Sequence, residues 1–540
     1  YMQTRESGLV SLNRYDRGAL MEDLSNLERF YQSQGFLTAE VTLDDIRLSA
    51  DSTRVDILVG VREGDRWKVV EHAFEGNGLL SDEELRELTR IEEDGPFLVG
   101  RLTSDKRAIL EAYAKRSYLD ANVVQNVNRD DAERTTSINY DITEGPKAVI
   151  DSIKVEGNSK TRSYVIEREL GFERGEYFDP EKVGETQAAL YRTGLFNSVW
   201  IEPAPEDTGR AEKDVIVRVS ERPSGTVRFS LGYAVIDGAE VGAAISNRNV
   251  QGQATSMRLE GRYAERSRSV RASAGDPWFL GVPVAAEMSS HYEWNDEESY
   301  LAERAGADFV LTKKLGLSLV LEGGYGFERT NLLEAAEDED IEANYTSDLT
   351  FGMTYDSRDD VLSAARGTFG HGQVDFASSR LGGTNDFVRV EFDLRGYKAI
   401  SKYRIASVQL RVGWMKPQGD SEEIPINERF LTGGEGSVRG FPRNSLGPAD
   451  TEGTPTGGRA LLVGRAEFRF PLVKAFRAAV FVDAGQVYEE FGSIRPSRLA
   501  VGAGVGVRYE TRIGVLRVDV ATPVSESGDP QYYFGIGQAF

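Results

Sequence analysis

From about Gly225 to Phe540 the chain shows no helical periodicity. It is built from runs of roughly ten residues in two-residue alternation. A period of two places successive side chains on opposite faces of a strand. In FVRVEFDLR (Phe387 to Arg395), Val388, Val390, Phe392 and Leu394 share one face, and Arg389, Glu391, Asp393 and Arg395 share the other. About sixteen such runs follow one another with no helix between them, an even count of the kind a closed single-chain barrel requires. A sandwich of two sheets also alternates, but so many consecutive strands leave edges that only closure removes. Acidic connections such as LLEAAEDEDIEAN (Leu332 to Asn344) alternate with tight ones, as long loops at one rim and short turns at the other would. The expectation is an all-β, antiparallel transmembrane barrel of about 16 strands over residues 224–540.

The preceding residues follow a different pattern, and they repeat. VEGNSKTRSY (Val155 to Tyr164) echoes FEGNGLLSDE (Phe74 to Glu83), and YRTGLFNSVWI (Tyr191 to Ile201) echoes YAKRSYLDANV (Tyr113 to Val123). YQSQGFLTAEV (Tyr31 to Val41) is a third copy, and each copy closes on an acidic turn: VREG, ITEG or VSER. A period of about 80 residues is that of tandem small domains rather than of a solenoid. Within a unit the order reads strand, helix, helix, strand, strand. Ser81 before DEELRELTR starts a helix with acidic residues in its first turn. After Asp179-Pro180, Val183, Gln187, Leu190 and Tyr191 fall near one helix face. Residues 1–66 form a partial unit without an opening strand, followed by α+β units over 67–146 and 147–223. The chain starts on Tyr1 with no signal-peptide pattern, so a processed or truncated stretch is expected.

Composition removes several function classes. With no cysteine there are no disulfides, no thiol catalysis and no Cys-based zinc site. A net charge of −23 argues against nucleic acid, which needs clustered Lys and Arg. No apolar run is long enough for a membrane-spanning helix, which leaves a barrel open as a way to cross a bilayer. His72, His291 and His371 are scattered, without HExxH or triad spacing, and are expected to be surface or lumen residues. DSRDD (Asp356 to Asp360) lacks the EF-hand ligand register and suits a turn. LEGGYGFERT (Leu321 to Thr330) has no Walker lysine. Neither an enzyme, nor a metal site, nor a cofactor is expected.

One connection stands apart. Residues from about 416 to 458 are far too many for an ordinary turn, and they carry GGEGSVRGF (Gly433 to Phe441). An arginine on a loop that enters a barrel needs acidic partners. Alternation offers some. Arg465, Glu467 and Arg469 share the polar face of RALLVGRAEFRF, and Asp483 lies opposite Val480 and Val482 in AFRAAVFVDAG. In the last run Tyr532, Phe534, Ile536 and Phe540 project to one face, while Tyr533, Gly535, Gly537 and Ala539 face the other way. Gly535 and Gly537 weaken strand packing there.

With SVRGF, YDSRDD, FVDAG and a terminal YYFGIGQAF in this order, the second half resembles the BamA/TamA superfamily of outer-membrane protein assembly factors, and the repeats resemble its POTRA domains. The resemblance implies that Val438, Arg439, Gly440 and Phe441 form a motif folded back into the barrel, with Arg439 paired to Glu467 and Asp483. It implies a closing strand (Tyr532, Phe534, Gly535, Ile536, Gly537, Phe540) that pairs imperfectly with the first one, around Thr226 to Val235, and templates incoming strands by β-augmentation. It implies a bacterial outer-membrane insertase, working without covalent chemistry or ATP, with its POTRA domains in the periplasm. The implied partners are unfolded outer-membrane proteins, the lipid bilayer, and chaperones, accessory lipoproteins or an inner-membrane protein at the POTRA domains. A protein-secretion transporter of the two-partner type shares this plan. Such transporters typically carry two POTRA domains and a plug helix, and the third, partial repeat favours the insertase.

Overall fold

The computed structural model describes residues 15–50, 54–234, 238–336, 343–419, 421, 423–473, 475–511 and 514–540. The chain divides into two compact units, one ending at Arg222 and one beginning at Pro223.

The first unit is a series of α/β repeats. It opens with α1 (Arg17–Ser33), β1 (Glu40–Leu48) and β2 (Val55–Arg62). The second repeat runs β3 (Lys68–Glu75), α2 (Asp82–Leu88), α3 (Val99–Ala114), β4 (Asn122–Asp130) and β5 (Thr135–Thr143). The third runs β6 (Val149–Glu156), α4 (Ser163–Glu167), α5 (Pro180–Arg192), β7 (Phe196–Pro203) and β8 (Glu212–Glu221). Both complete repeats have the same topology. The opening strand lies parallel to the last one, which takes the middle of the sheet, and the remaining strand pairs antiparallel on its far side.

The repeated sequence words have repeated jobs. Asn77 Nδ2 donates to Leu80 O (2.9 Å) and Asp82 Oδ1 (2.8 Å), and Asn158 Nδ2 donates to Thr161 O (3.0 Å) and Ser163 Oγ (3.1 Å). The glutamate that closes each of the two complete repeats clasps the same bend. Glu144 accepts from Leu79 N and Tyr113 OH, and Glu221 accepts from Thr161 N, Lys160 N and Ser159 Oγ. Burial pushes the Glu221 carboxyl up, but these donors outweigh it and hold the group below its ordinary value. Ser81 caps α2 in a reciprocal box with Glu84, and Asp179 caps α5 ahead of Pro180. Along α5 the buried positions are Thr186 and Leu190. Tyr191 lies on the flank instead, exposed, its OH accepting from Val199 N because an amphipathic ring can cover a strand edge and keep its tip wet. Lys213, 1% exposed, ties the third repeat to the second through Asp120 Oδ2 at 2.7 Å.

His72 departs from the expectation of a surface or lumen residue. It is buried in the second repeat's core against Phe74 and Tyr140, with ring centroids 4.8 and 5.4 Å away. Its pKa is lowered chiefly by burial, and its Nε2 has no hydrogen-bond partner among the described residues.

The second unit is one 16-stranded antiparallel sheet in which every strand pairs with its sequence neighbours, the architecture of an up-and-down barrel. Its first half comprises β9 (Gly225–Ala234), β10 (Gly238–Val250), β11 (Thr255–Tyr263), β12 (Ser267–Asp276), β13 (Ala285–Asp296), β14 (Tyr300–Leu315), β15 (Leu319–Ala335) and β16 (Ala343–Asp356). The second half comprises β17 (Gly367–Ala377), β18 (Phe387–Ser401), β19 (Arg404–Pro417), β20 (Ala460–Val473), β21 (Phe476–Tyr488), β22 (Ala500–Thr511), β23 (Gly514–Pro523) and β24 (Gln531–Ile536). Val235, in the expected first strand, and residues 337–342 of the long acidic connection lie outside the described residues. No helix among the described residues is long and apolar enough to cross a membrane.

Alternation sorts the sheet's two faces. Phe229, Leu231, Phe392, Leu394, Val408 and Leu410 are exposed on the outside, where a bilayer would cover them. Inside, polar groups pair across neighbouring strands: Arg411 forms an ion pair with Glu391 at 2.9 Å, and Gln409 Nε2 donates to Asp393 at 2.9 Å. His291 sits between Asp308 (3.4 Å) and Glu328 (3.2 Å), and His371 meets Thr354 at 2.9 Å. DSRDD forms a turn in which Asp359 accepts from Ala365 N and Arg366 N, and Asp360 from Leu362 N and Ser363 N.

The buried, neutral His72 makes the second repeat acid-sensitive. The unfolded chain takes up a proton near pH 6.5 and the folded one only below that. Stability is therefore complete above about pH 6.5 and falls as the pH drops through that value. Hydrogen exchange over residues 67–75 is expected to lose protection between pH 7 and pH 5, and His72→Phe to flatten the profile.

Candidate functional site: an arginine lattice inside the barrel

The segment joining β19 to β20 folds into the barrel, where three anchors hold it. At its start, Glu428 accepts from Arg389 (2.7 Å) and Thr346 (2.9 Å), and the Asn427 carbonyl accepts from Arg304 (3.1 Å). These partners stand on β14, β16 and β18. Further along, Glu297, just after β13, accepts from Arg443 (2.9 Å) and Asn444 (3.1 Å). Between the two lies the third anchor, the SVRGF stretch, which docks on the inner face of β20 to β24.

Arg439 is 0% exposed. Its Nε and Nη2 fork onto Asp483, at 2.6 Å to Oδ2 and 3.0 Å to Oδ1, while its backbone N–H reaches Oδ2 at 3.2 Å. Its Nη1 divides between Glu467 Oε2 (3.1 Å) and Asp519 Oδ2 (3.2 Å). The guanidinium also lies over the Phe481 ring, 3.4 Å from the centroid. Arg508 completes the lattice through Asp519 Oδ1 at 2.5 Å and Glu467 Oε2 at 3.1 Å. The structure thus brings Arg439 onto Glu467 and Asp483 and adds Asp519 and Arg508 as members.

The neighbours of Arg439 fit the wall around it. Val438 and Phe441 pack with Phe430, Leu461, Val463 and Val487 in an apolar cluster. Gly440 has φ +102°, a conformation that favours glycine, and a Cβ there would meet the Thr522 backbone at 2.9 Å. Across the contact Gly502 leaves room for the loop, since a Cβ on it would stand 1.9 Å from Arg439 O.

The loop also reaches the last two strands. Tyr533 OH on β24 accepts from Gly440 N (3.0 Å) and donates to Phe441 O (3.2 Å), and Arg517 on β23 pairs with Glu435. Tyr532 and Phe534 point outward and are 61% and 59% exposed. A Cβ on Gly535 would come within 3.0 Å of Arg517 and Glu435, so this glycine makes space for that pair. The side chain of Ile536 lies outside the described residues. Phe540 differs from the sequence expectation. The last strand ends at Ile536, Gly537 turns the chain at φ +99°, and Phe540 stacks on Arg465 at 4.8 Å instead of continuing the outer face. Alternation carries no information past the residue where a strand bends.

Asp519, Arg508, Arg517 and Tyr533 are site residues that sequence reasoning did not single out. A signal for the first three was present: charges alternate with Val505, Val507, Val518 and Val520, as Asp483 does with Val480 and Val482.

A barrel of this strand number, with a charged loop locked inside it and α/β repeats ahead of it, is an outer-membrane protein of the kind that carries a periplasmic arm. Residues 249–540 match the Omp85 superfamily domain, and residues 68–145 and 148–222 each match POTRA, the surface antigen variable number repeat. The chain belongs to the Omp85 superfamily, with its barrel in the bacterial outer membrane and its POTRA domains in the periplasm. It is 23% identical over 540 residues to the outer membrane protein assembly factor BamA of Nitratidesulfovibrio vulgaris, an alignment that spans 96% of this chain and 68% of that one. To the protein of the same name from Neorickettsia risticii it is 25% identical over 554 residues, spanning 97% and 73%. The crystal structure of BamA from Haemophilus ducreyi lacking POTRA domains 1–3 superposes with a TM-score of 0.75 at 21% identity, covering 87% of this chain and 98% of that one.

Removing the central guanidinium takes the forked partner from Asp483, which keeps Arg465 at 3.5 Å as its cation, and one cation from Glu467 and Asp519, which Arg508 still pairs, at a cost of about 3 kcal/mol. Arg439→Ala is expected to lower the barrel's unfolding midpoint in urea and to abolish its heat-modifiable mobility. Arg439→Lys should fall between the two, because an ammonium cannot make the planar fork onto Asp483. In the pair Arg439→Glu with Asp483→Arg, direct pairing predicts a double variant that is more stable than either single one.

Proposed function

We propose that this chain is an outer-membrane protein assembly factor. It binds unfolded β-barrel precursors and assembles them into the outer membrane by templating their strands at the seam between β9 and β24. The observation that carries this reading is the loop lattice on β20 to β24, which ties an interior segment to the two strands nearest the seam through Tyr533, Arg517 and Asp519. The curated relatives named as assembly factors support it.

Two further features suit that mechanism. The last strand has six residues where β9 and β23 each have ten, and among the described residues its ladder is with β23, so its other edge offers few main-chain groups that an incoming strand must compete for. Strands on the first-strand side are short as well: β9, β11 and β12 have ten, nine and ten residues, against sixteen and seventeen in β14 and β15. At ~3.3 Å per residue these strands reach less far than β14 and β15, an arrangement that favours a thinner bilayer beside them. An incoming strand would then add by main-chain hydrogen bonding, without covalent chemistry or a cofactor. The POTRA sheets extend the same recognition into the periplasm, to unfolded precursors and to chaperones, accessory lipoproteins or an inner-membrane partner.

The chain has no cysteine, so a tether can be introduced cleanly. Cysteines placed in pairs at Val227, Phe229 or Leu231 of β9 and at Tyr532 or Phe534 of β24 are expected to stop assembly of a barrel client in proteoliposomes when oxidised, with recovery on reduction. Full assembly by the oxidised, cross-linked form would refute strand exchange at the seam. In cells, depletion should lower many barrel proteins together, whereas loss of a single exported protein would point to transport instead.

A further inference from the structure

We infer that Arg465 is a positioning residue that latches the segment Gly537–Phe540 inside the barrel and couples it to the tip of the inserted loop. The reason lies in how the lattice spends its acceptors. Asp483 already takes two hydrogen bonds on Oδ2 and one on Oδ1 from Arg439, leaving Arg465 Nε at 3.5 Å from Oδ1. Glu467 and Asp519 are committed to Arg439 and Arg508. Arg465 is 4% exposed, so its remaining donors must find acceptors within the protein.

They find main-chain carbonyls on two separate segments, and one side chain on β19. Nη2 donates to Glu435 O (3.2 Å) and Nη1 reaches Gly436 O (3.4 Å), both on the loop tip. The same Nη1 donates to Ala539 O at 3.2 Å and meets Gln409 Oε1 at 3.4 Å. The guanidinium sits over the Phe540 ring, 4.8 Å from its centroid, and Gln538 donates to Ser363 Oγ at 3.2 Å in the turn between β16 and β17. A planar, rigid cation therefore holds loop and terminal segment at once. If the terminal segment leaves, Nη1 loses its shortest hydrogen bond and keeps Gly436 O on the loop tip and Gln409 Oε1 on β19, both at 3.4 Å, so the guanidinium is drawn onto the loop tip. Loop position and release of the last residues are thus coupled through one guanidinium, by geometry inside the lumen and independently of whether the seam templates client strands.

The test uses the whole chain, purified and folded in micelles with no client present. Ser363→Cys with Gln538→Cys reports the terminal segment's position through the rate of disulfide formation under mild oxidation, and heat-modifiable mobility confirms a folded barrel. Adding Arg465→Gln is expected to slow the cross-link roughly tenfold, the size of effect expected for losing a charged donor to a buried carbonyl together with its ring contact. Arg439→Lys, which loosens the loop without touching residues 537–540, should slow it about threefold through the coupling. An unchanged rate in Arg465→Gln overturns the latch. A slowed Arg465→Gln with an unchanged Arg439→Lys overturns the coupling to the loop. If Arg465→Gln yields no folded barrel, Phe540→Ala decides: it removes only the ring, should slow the cross-link about twofold, and overturns the latch if it does not.

Discussion

A guanidinium with no contact to water has to be matched where it stands, and in this barrel that requirement organises everything around the inserted loop. Arg439 meets three carboxylates from three strands, β20, β21 and β23, which lie 28, 44 and 80 residues beyond it. Since an unmatched buried charge is costly, the loop cannot settle in the lumen unless those strands are in register. Conversely, Arg508 on the wall pairs Glu467 and Asp519 without the loop, but Asp483 gets its close, forked partner only from it. Apolar packing by Val438 and Phe441 adds adhesion, but it would tolerate small shifts. The forked contact to Asp483 would not.

The lattice also accounts for the wall opposite the loop. The motif's backbone lies so close to β22 that Gly502 has no room for a side chain, and Gly506 is hemmed in by Asp519 and Arg508. What looks in the sequence like a weak glycine-valine strand, VGAGVGV, is one whose outward face meets lipid while its inward face is cut away to admit a charged segment. Propensity alone disfavours such a strand; its neighbours on both sides and the loop above it sustain it.

Much of this was legible before any coordinates. Period-two alternation separated the outer Phe392 and Leu394 from the inner Arg389 and Asp393, and the repeated EGN turns located the α/β units. Those are local rules, and the structure obeys them where only neighbours matter. Arg439 stood out by its setting among glycines, but the naming of its partners leaned on family resemblance, because a contact across 44 residues leaves no mark in either segment alone. Asp519 carries the same alternation signal as Asp483 and was passed over for want of a motif around it. His72 was misjudged for a plainer reason: a single histidine on a strand looks the same whether the neighbouring rings are packed against it or absent. Phe540 escaped because a bend at Gly537 ends the rule that placed it.

The order in which the chain emerges gives the lattice one more property. Asp519 is 80 residues beyond Arg439, and Tyr533 is further still, so the loop is made before half of what it binds. Contacts of such long sequence separation close late in folding. Complete burial of Arg439 needs β23 as well as the nearer β20 and β21. The same side chain that stabilises the finished barrel therefore reports, by its burial against Glu467, Asp483 and Asp519, that β20, β21 and β23 stand in register around it.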